Sequence, residues 1–213
     1  MSFASREREL LSKKFLEVGP GAPTLCTGWS AQDLACHLWV RERDPLSLPG
    51  MFAERLAYFT DLRMERARTR LSFDEMVGQI RSGPPLRSLA RHLKIDEVLN
   101  TMELFIHHED LRRAVDPSAG PRDLHEGEEA IWKGAILFSK RLLWRCPVGV
   151  VLVRSDRDDC RERVKQGEGN GVSLKGEAGE LGLYLFGRRA NADVSLAGSP
   201  EEVSEFKEFT LRL

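Results

Sequence analysis

Asp96-Glu97-Val98-Leu99-Asn100-Thr101-Met102-Glu103-Leu104-Phe105-Ile106-His107-His108-Glu109-Asp110-Leu111 is the segment from which the rest of the chain is best read. Its spacing predicts a long helix, opened by Asp96 and reaching about Ala114. At about 100° per residue, Val98, Leu99, Met102, Phe105 and Ile106 share one apolar arc, while Leu104 and Leu111 lie nearly opposite. Two polar stripes fill the gaps between these zones. One is Asp96, Asn100, Glu103, His107 and Asp110; the other is Glu97, Thr101 and His108. A helix in a bundle needs only one solvated side, so one stripe is expected to face inward or line a cavity. Ionisable groups there are costly unless they are paired or hold a metal.

A second, milder polar line lies on the helix that Ser30 opens. Asp33, His37 and Arg41 recur at i, i+4 and i+8 beside the apolar face of Ala31, Leu34, Ala35 and Leu38. Glu103 and His107 are one turn apart on the long helix and point the same way. His37, Glu103 and His107 would supply two imidazoles and one carboxylate from two facing helices. That is a natural three-ligand set for a divalent metal, and with an open fourth position it is a catalytic form of zinc site. A plain i,i+4 contact explains the Glu103–His107 spacing equally, and a hydrogen-bonded core histidine explains His37. His108 lies about 100° from His107 and is expected to be exposed or outside the ligand set. His92 and His125 are expected at the surface, and Arg112-Arg113 at a solvated helix end. Asp110 is placed to pair with His107 or with an arginine.

Outward from these helices, the first two thirds of the chain reads as helical. Ser5 is expected to cap a first helix carrying Leu11, Phe15 and Val18, stopped by Gly19-Pro20. Ser30 with Asp33 at N3 is a weaker capping box, and Pro45 is expected to end that helix. A third helix is predicted from Phe52 to Arg70, and a short one behind the Ser72-x-x-Glu75 box ends before Gly83-Pro84-Pro85. A further helical run covers Glu126 to Arg145. After Pro147 the pattern switches. Val148–Val153 reads as a buried strand, Arg161–Lys165 and Gly171–Lys175 as two more, with a glycine-rich turn at 167–171 between them. Glu180–Phe186 reads as a short, buried helix, Asp193–Leu196 as a strand, and Ser199-Pro200-Glu201-Glu202 as the start of a last helix. The expected architecture is therefore α + (α+β): a helical bundle over 1–146, then a small α+β domain over 147–213.

The 213 residues are 41% hydrophobic and 31% charged, enough apolar material for a real core. With 32 basic and 33 acidic residues the net charge is −1, which gives no reason to expect a nucleic-acid or anionic-membrane partner. No apolar run reaches the ~18–20 residues that span a bilayer. The charged, acid-containing start, Met1 to Glu9, reads as neither a secretory nor a transit peptide, so a cytoplasmic location is expected. Cys26, Cys36, Cys146 and Cys160 are far apart and read as free thiols, Cys36 as a small buried helix residue.

Cys26-Thr27-Gly28-Trp29-Ser30-Ala31-Gln32-Asp33-Leu34-Ala35-Cys36-His37-Leu38 resembles the C-x-G-W-[ST]-x-x-D-L-x-x-H-L signature of the mycothiol-dependent maleylpyruvate isomerase family, which lies among the DinB-like metal-binding helix bundles. Glu103 to Ala114 resembles that family's second signature, E-x-x-x-H-H-E-D-x-R-R-A. Leu183 to Arg189 is similar to the L-x-L-x-G-R stretch of its sterol-carrier-like C-terminal domain. The first two motifs are quite specific and the third is weak alone; together the resemblance covers nearly the whole chain, and similar actinobacterial proteins are described as metal-binding. It implies a DinB-like four-helix bundle followed by a small sterol-carrier-like α+β domain. It also implies a divalent metal, usually zinc, on His37, Glu103 and His107, the trio that helix geometry suggests. A donor set of this kind also suits Ni2+ or Fe2+. Finally, it implies an arginine from the C-terminal domain near the site, matched here by Arg188, with Arg189 beside it.

If the chain is an enzyme, the resemblance implies that a low-molecular-weight thiol such as mycothiol takes the open metal position as a thiolate and adds to a small electrophile. Arg188 or Arg41 would hold a substrate carboxylate or a developing negative charge, and the C-terminal domain would close the cleft. The expected function is a divalent-metal-binding, thiol-dependent transferase or isomerase. Two rivals stand beside it: a non-catalytic metal-binding or stress-response module, and a polar stripe closed by salt bridges without a metal.

Overall fold

The computed structural model describes residues 2–44, 57–85, 96–157, 159–167 and 169–209, the side chains of 57–60, 96, 97 and 99 excepted. The expected stop at Pro45, the expected helix start at Phe52, and His92 lie outside the described residues. The chain divides into two compact units, Met1–Ala119 and Gly120–Leu213.

The first unit is helical: α1 Phe3–Val18, α2 Ala31–Arg43, α3 Ala57–Arg70, α4 Phe73–Arg81 and α5 Asp96–Val115. Local chemistry sets their ends. Ser30 and Ser72 each accept a backbone N–H from the residue three on, and Asp33 and Glu75 reach back to the cap N–H. A cap of this kind stabilises a helix by about 1 kcal/mol. The first helix starts earlier than Ser5: Ser2 is its cap and accepts the Ser5 N–H at 3.3 Å. α1 packs on α5 and α4, and α2 on α3 and α4. Leu11, Phe15, Leu34, Ala35, Leu38, Met76, Val77, Ile80, Leu104 and Leu111 meet in the core between them. Arg8 crosses this core boundary with its stem buried, donating to the Ile80 carbonyl at 2.8 Å and pairing with Glu42 at 2.5 Å.

α5 departs from the expectation of one inward and one solvated stripe. Thr101, Met102, Leu104, Phe105, Ile106, His107, His108, Glu109, Asp110 and Leu111 are all buried. Apart from the half-buried Glu103, the helix is buried along this stretch, so each polar group on it needs a partner.

The second unit contains α6 Gly127–Leu142, β1 Val150–Arg154, β2 Arg161–Lys165, β3 Val172–Gly176, α7 Ala178–Leu185, β4 Ser195–Ala197 and α8 Pro200–Glu208. The boundary thus falls at Ala119/Gly120, earlier than the expected 146/147, because α6 packs on α7 and β2. The sheet order is β2-β1-β3-β4, with β1 parallel to β3 and the two outer pairings antiparallel. Strands expected to follow one another across a turn, β2 and β3, therefore flank β1, and the segment joining them crosses its start. That crossing demands glycine. A Cβ on Gly167 would lie 2.2 Å from the Gly149 nitrogen, and one on Gly171, at φ +75°, would lie 2.5 Å from the Gly149 oxygen. α7 is buried at every position, as its all-round apolar sequence requires. Among the described residues no helix is long and apolar enough to cross a membrane.

Candidate metal centre

Two helices bring the predicted trio together. α2 carries His37 and Arg41 one turn apart, and α5 carries Glu103 and His107 with the same spacing. His37 Nε2 lies 2.9 Å from Glu103 Oε1, and His107 Nε2 lies 3.2 Å from the same oxygen. The donor atoms of His37, Glu103 and His107 all fall within 4.8 Å of one another. The two imidazoles stand edge to face, ring centroids 5.2 Å apart, and the Trp29 indole backs His37 at 5.2 Å. Side-chain exposures of 13%, 20% and 11% for the three leave the centre sheltered but reachable, chiefly beside Glu103.

The surrounding groups orient these donors. Asp110, completely buried, accepts from His107 Nδ1 at 2.9 Å. A carboxylate on one ring nitrogen fixes the ring and directs the other nitrogen to the centre, as outer-shell carboxylates do for metal-bound histidines. Arg41 donates to Asn100 Oδ1 at 2.6 Å and holds its Nε 3.6 Å from Glu103 Oε1. Arg41 thus lies beside Glu103. Arg188 lies in the second unit, just after α7, where its guanidinium donates to the Phe186 carbonyl.

Proton affinities follow from this packing. Burial pushes the His37 imidazole below its ordinary value of 6.5, outweighing the pull of Glu103. Burial also opposes the charge on Glu103. Arg41 and the two imidazoles overcome it and hold the carboxyl well below the usual carboxylate range. For His107 burial disfavours the cation, yet hydrogen bonds to Asp110, Cys26 and Glu103 raise it well above 6.5. Each nitrogen of the His107 ring faces a carboxylate, Nε2 toward Glu103 and Nδ1 toward Asp110.

Cys26 also lies against these donors, a contact that no sequence pattern predicts. Its Sγ lies 3.2 Å from Asp110 Oδ2 and 4.0 Å from His107 Nδ1. No periodicity relates a loop residue to a helix 80 positions away, so only the tertiary fold reveals the contact. His108 corrects the expectation of exposure: it is buried, with Nδ1 2.9 Å from Glu7 Oε2 of α1. The Arg112-Arg113 pair is not a solvated end either. Both side chains donate to the buried Glu109, and Arg113 is itself buried. His125 is exposed, paired with Asp123. Cys36 is buried in α2, as expected.

A solved structure of the mycothiol-dependent maleylpyruvate isomerase superposes on this chain with a TM-score of 0.56, covering 94% of this chain and 93% of that one at 17% identity. The fold is that of the isomerase. A mutant of a mycothiol-dependent maleylpyruvate isomerase gives a TM-score of 0.49 at 16% identity, with the same coverage. Comparison with protein-family models gives no match, and comparison with curated proteins gives none. Likeness at this identity is likeness of fold, and the chemistry must be argued from the residues.

Proposed function

We propose that the protein binds a divalent metal, zinc first among those its donors suit, through His37, Glu103 and His107, and uses it in thiol-dependent transferase or isomerase chemistry with mycothiol as the cofactor. One observation carries the metal reading: three ligand-type atoms from two helices converge within 4.8 Å, two of them imidazole nitrogens on one carboxylate oxygen. The donor chemistry fits. Two neutral nitrogens and one carboxylate, with part of the site reachable, match a three-ligand zinc centre, and Ni2+ or Fe2+ would accept the same set. When bound, such a cation supplies Lewis acidity and lowers the pKa of a thiol placed on its open position.

The chain's own residues supply the rest. Asp110 keeps the His107 ring turned so that Nε2 faces the centre. The His107 Nε2 proton must leave when a cation is held, and solvent reaches the site beside Glu103 to take it. Arg41, anchored by Asn100, keeps a positive charge beside the centre, suited to a substrate carboxylate or to charge developing during thiolate addition. Arg188, matched by motif to the family's arginine, is proposed for the same duty. The partners would be a small electrophile and a low-molecular-weight thiol, met in the cytoplasm.

The test has two stages. Metal content of the purified protein is compared between wild type and His107→Ala; equal, negligible metal in both rejects the metal reading and leaves the salt-bridged stripe. Conjugation of a model electrophile by mycothiol is then measured with and without chelator. A thiol-dependent rate abolished by chelator supports the enzyme. Bound metal with a rate indifferent to thiol and chelator assigns the chain to the non-catalytic module instead.

A further inference from the structure

The His107 ring has two nitrogens, and each faces a different set of ligand-type atoms. Nε2 faces Glu103 and His37; Nδ1 faces Asp110 and Cys26. The second set is independently built. Leu25 N–H donates to the Asp110 carbonyl at 3.1 Å, which ties the loop before α2 to α5 one residue from the thiol. Thr24 Oγ1 accepts the Cys26 N–H at 3.2 Å and the Trp29 N–H donates to the Cys26 carbonyl at 2.9 Å. The sulfur is therefore fixed beside the carboxylate by backbone bonds on both sides.

We propose that Cys26 Sγ, His107 Nδ1 and the Asp110 carboxylate form a second cation position, for thiophilic ions such as Cd2+ or Zn2+, on the far edge of the His107 ring from His37 and Glu103. The geometry suits it. The three edges measure 4.0 Å (Sγ–Nδ1), 3.2 Å (Sγ–Oδ2) and 2.9 Å (Nδ1–Oδ2). A tetrahedral ion with metal–sulfur ~2.3 Å and metal–nitrogen or –oxygen ~2.0–2.2 Å needs edges of roughly 3.3–3.7 Å, so the two short edges open and the 4.0 Å edge closes, each by about 0.3–0.7 Å. The charge suits it as well. Occupation releases the thiol proton and the Nδ1 proton to solvent, leaving a thiolate and a carboxylate against a divalent cation. Cys26 is partly exposed, which gives the ion a sulfur-first way in. Thiolate also separates the two positions by softness, since the His37–Glu103 side offers only nitrogen and oxygen.

The position goes beyond the proposed function; it shares His107 with that centre and draws on Asp110, which orients the His107 ring there. Cd2+ is titrated into the reduced, metal-free protein, and thiolate-to-cadmium charge-transfer absorption is read for wild type, Cys26→Ser, Asp110→Asn and the double variant His37→Ala/Glu103→Gln. The wild type is expected to saturate at one thiolate-bound ion per chain. Cys26→Ser is expected to abolish the band, Asp110→Asn to weaken the ion's affinity by about tenfold or more, and the double variant to keep the band at one ion per chain. Absence of the band in wild type overturns the proposal. So does its persistence in Cys26→Ser, which would assign it to Cys36, Cys146 or Cys160. Loss of the band in the double variant also overturns it, by making the thiol an outlying ligand of the other centre. Because the double variant removes only the His37–Glu103 donors, a chain that fails to bind metal there still answers the question about Cys26.

Discussion

His107 and His108 are neighbours on one helix, both buried, and their surroundings differ in kind. His108 meets one carboxylate, Glu7, across the α1–α5 contact. Next to it Glu109 takes Arg112 and Arg113. Each of these groups faces a hydrogen-bonding partner of complementary chemistry. On the other side His107 and His37 crowd a single oxygen of Glu103, with Arg41 close behind. Three donors around one acceptor exceed what an ion pair needs. The difference lies in aim, for both sides use the same residue types: on the first side carboxylates and bases pair within the helix or across to α1, whereas on the second two imidazoles converge on one carboxylate oxygen.

The largest effect that tests this contrast is expected from His107→Ala. It removes a donor and one partner of the fully buried Asp110, and bound metal should fall from near stoichiometric to background by elemental analysis. His108→Ala should do the reverse. It removes one hydrogen-bond partner of the buried Glu7 carboxylate and should cost about 1–2 kcal/mol in urea unfolding, with metal content unchanged. Metal loss in that variant would break the comparison. Asp110→Asn leaves the donors in place but loosens the His107 ring, and metal affinity should fall about 10–100-fold in a chelator competition.

The smallest effect concerns pH. His107, raised above its ordinary value because its carboxylate partners outweigh burial, gives the metal-free fold stability that is full below about pH 6.5 and is lost as pH rises through the raised value. His37, lowered chiefly by burial, costs stability as pH falls from about 6.5 through its lowered value. The site's share of metal-free stability should therefore peak near pH 6.5, and urea midpoints of wild type minus the His37→Ala/His107→Ala variant should trace that peak. A monotonic difference would contradict the assigned directions.

What local spacing can express was legible. The capping serines Ser30, Ser72 and Ser199, the buried helix α7, and the convergence of His37 on Glu103 and His107 all follow from periods of 3.6 and 2 and from residue chemistry. What depends on packing was not. Two polar stripes on α5 look alike on a helical wheel, and nothing local says that α1 presents Glu7 to one of them. α6 has an apolar face that serves a bundle or a sheet equally well, so chain proximity assigned it to the wrong unit. Cys26 reaches the site from a loop, where no repeat marks direction.

The donors around Glu103 are already gathered by hydrogen bonds before any ion arrives. Zinc modules that fold only around their metal lose their shape when stripped. Here the helices stand on their own apolar core, so if the proposed ion binds it could leave and return while the scaffold persists. Under that proposal loading would track the momentary supply of the ion, and a cell short of it would hold a pool of intact molecules ready to be recharged.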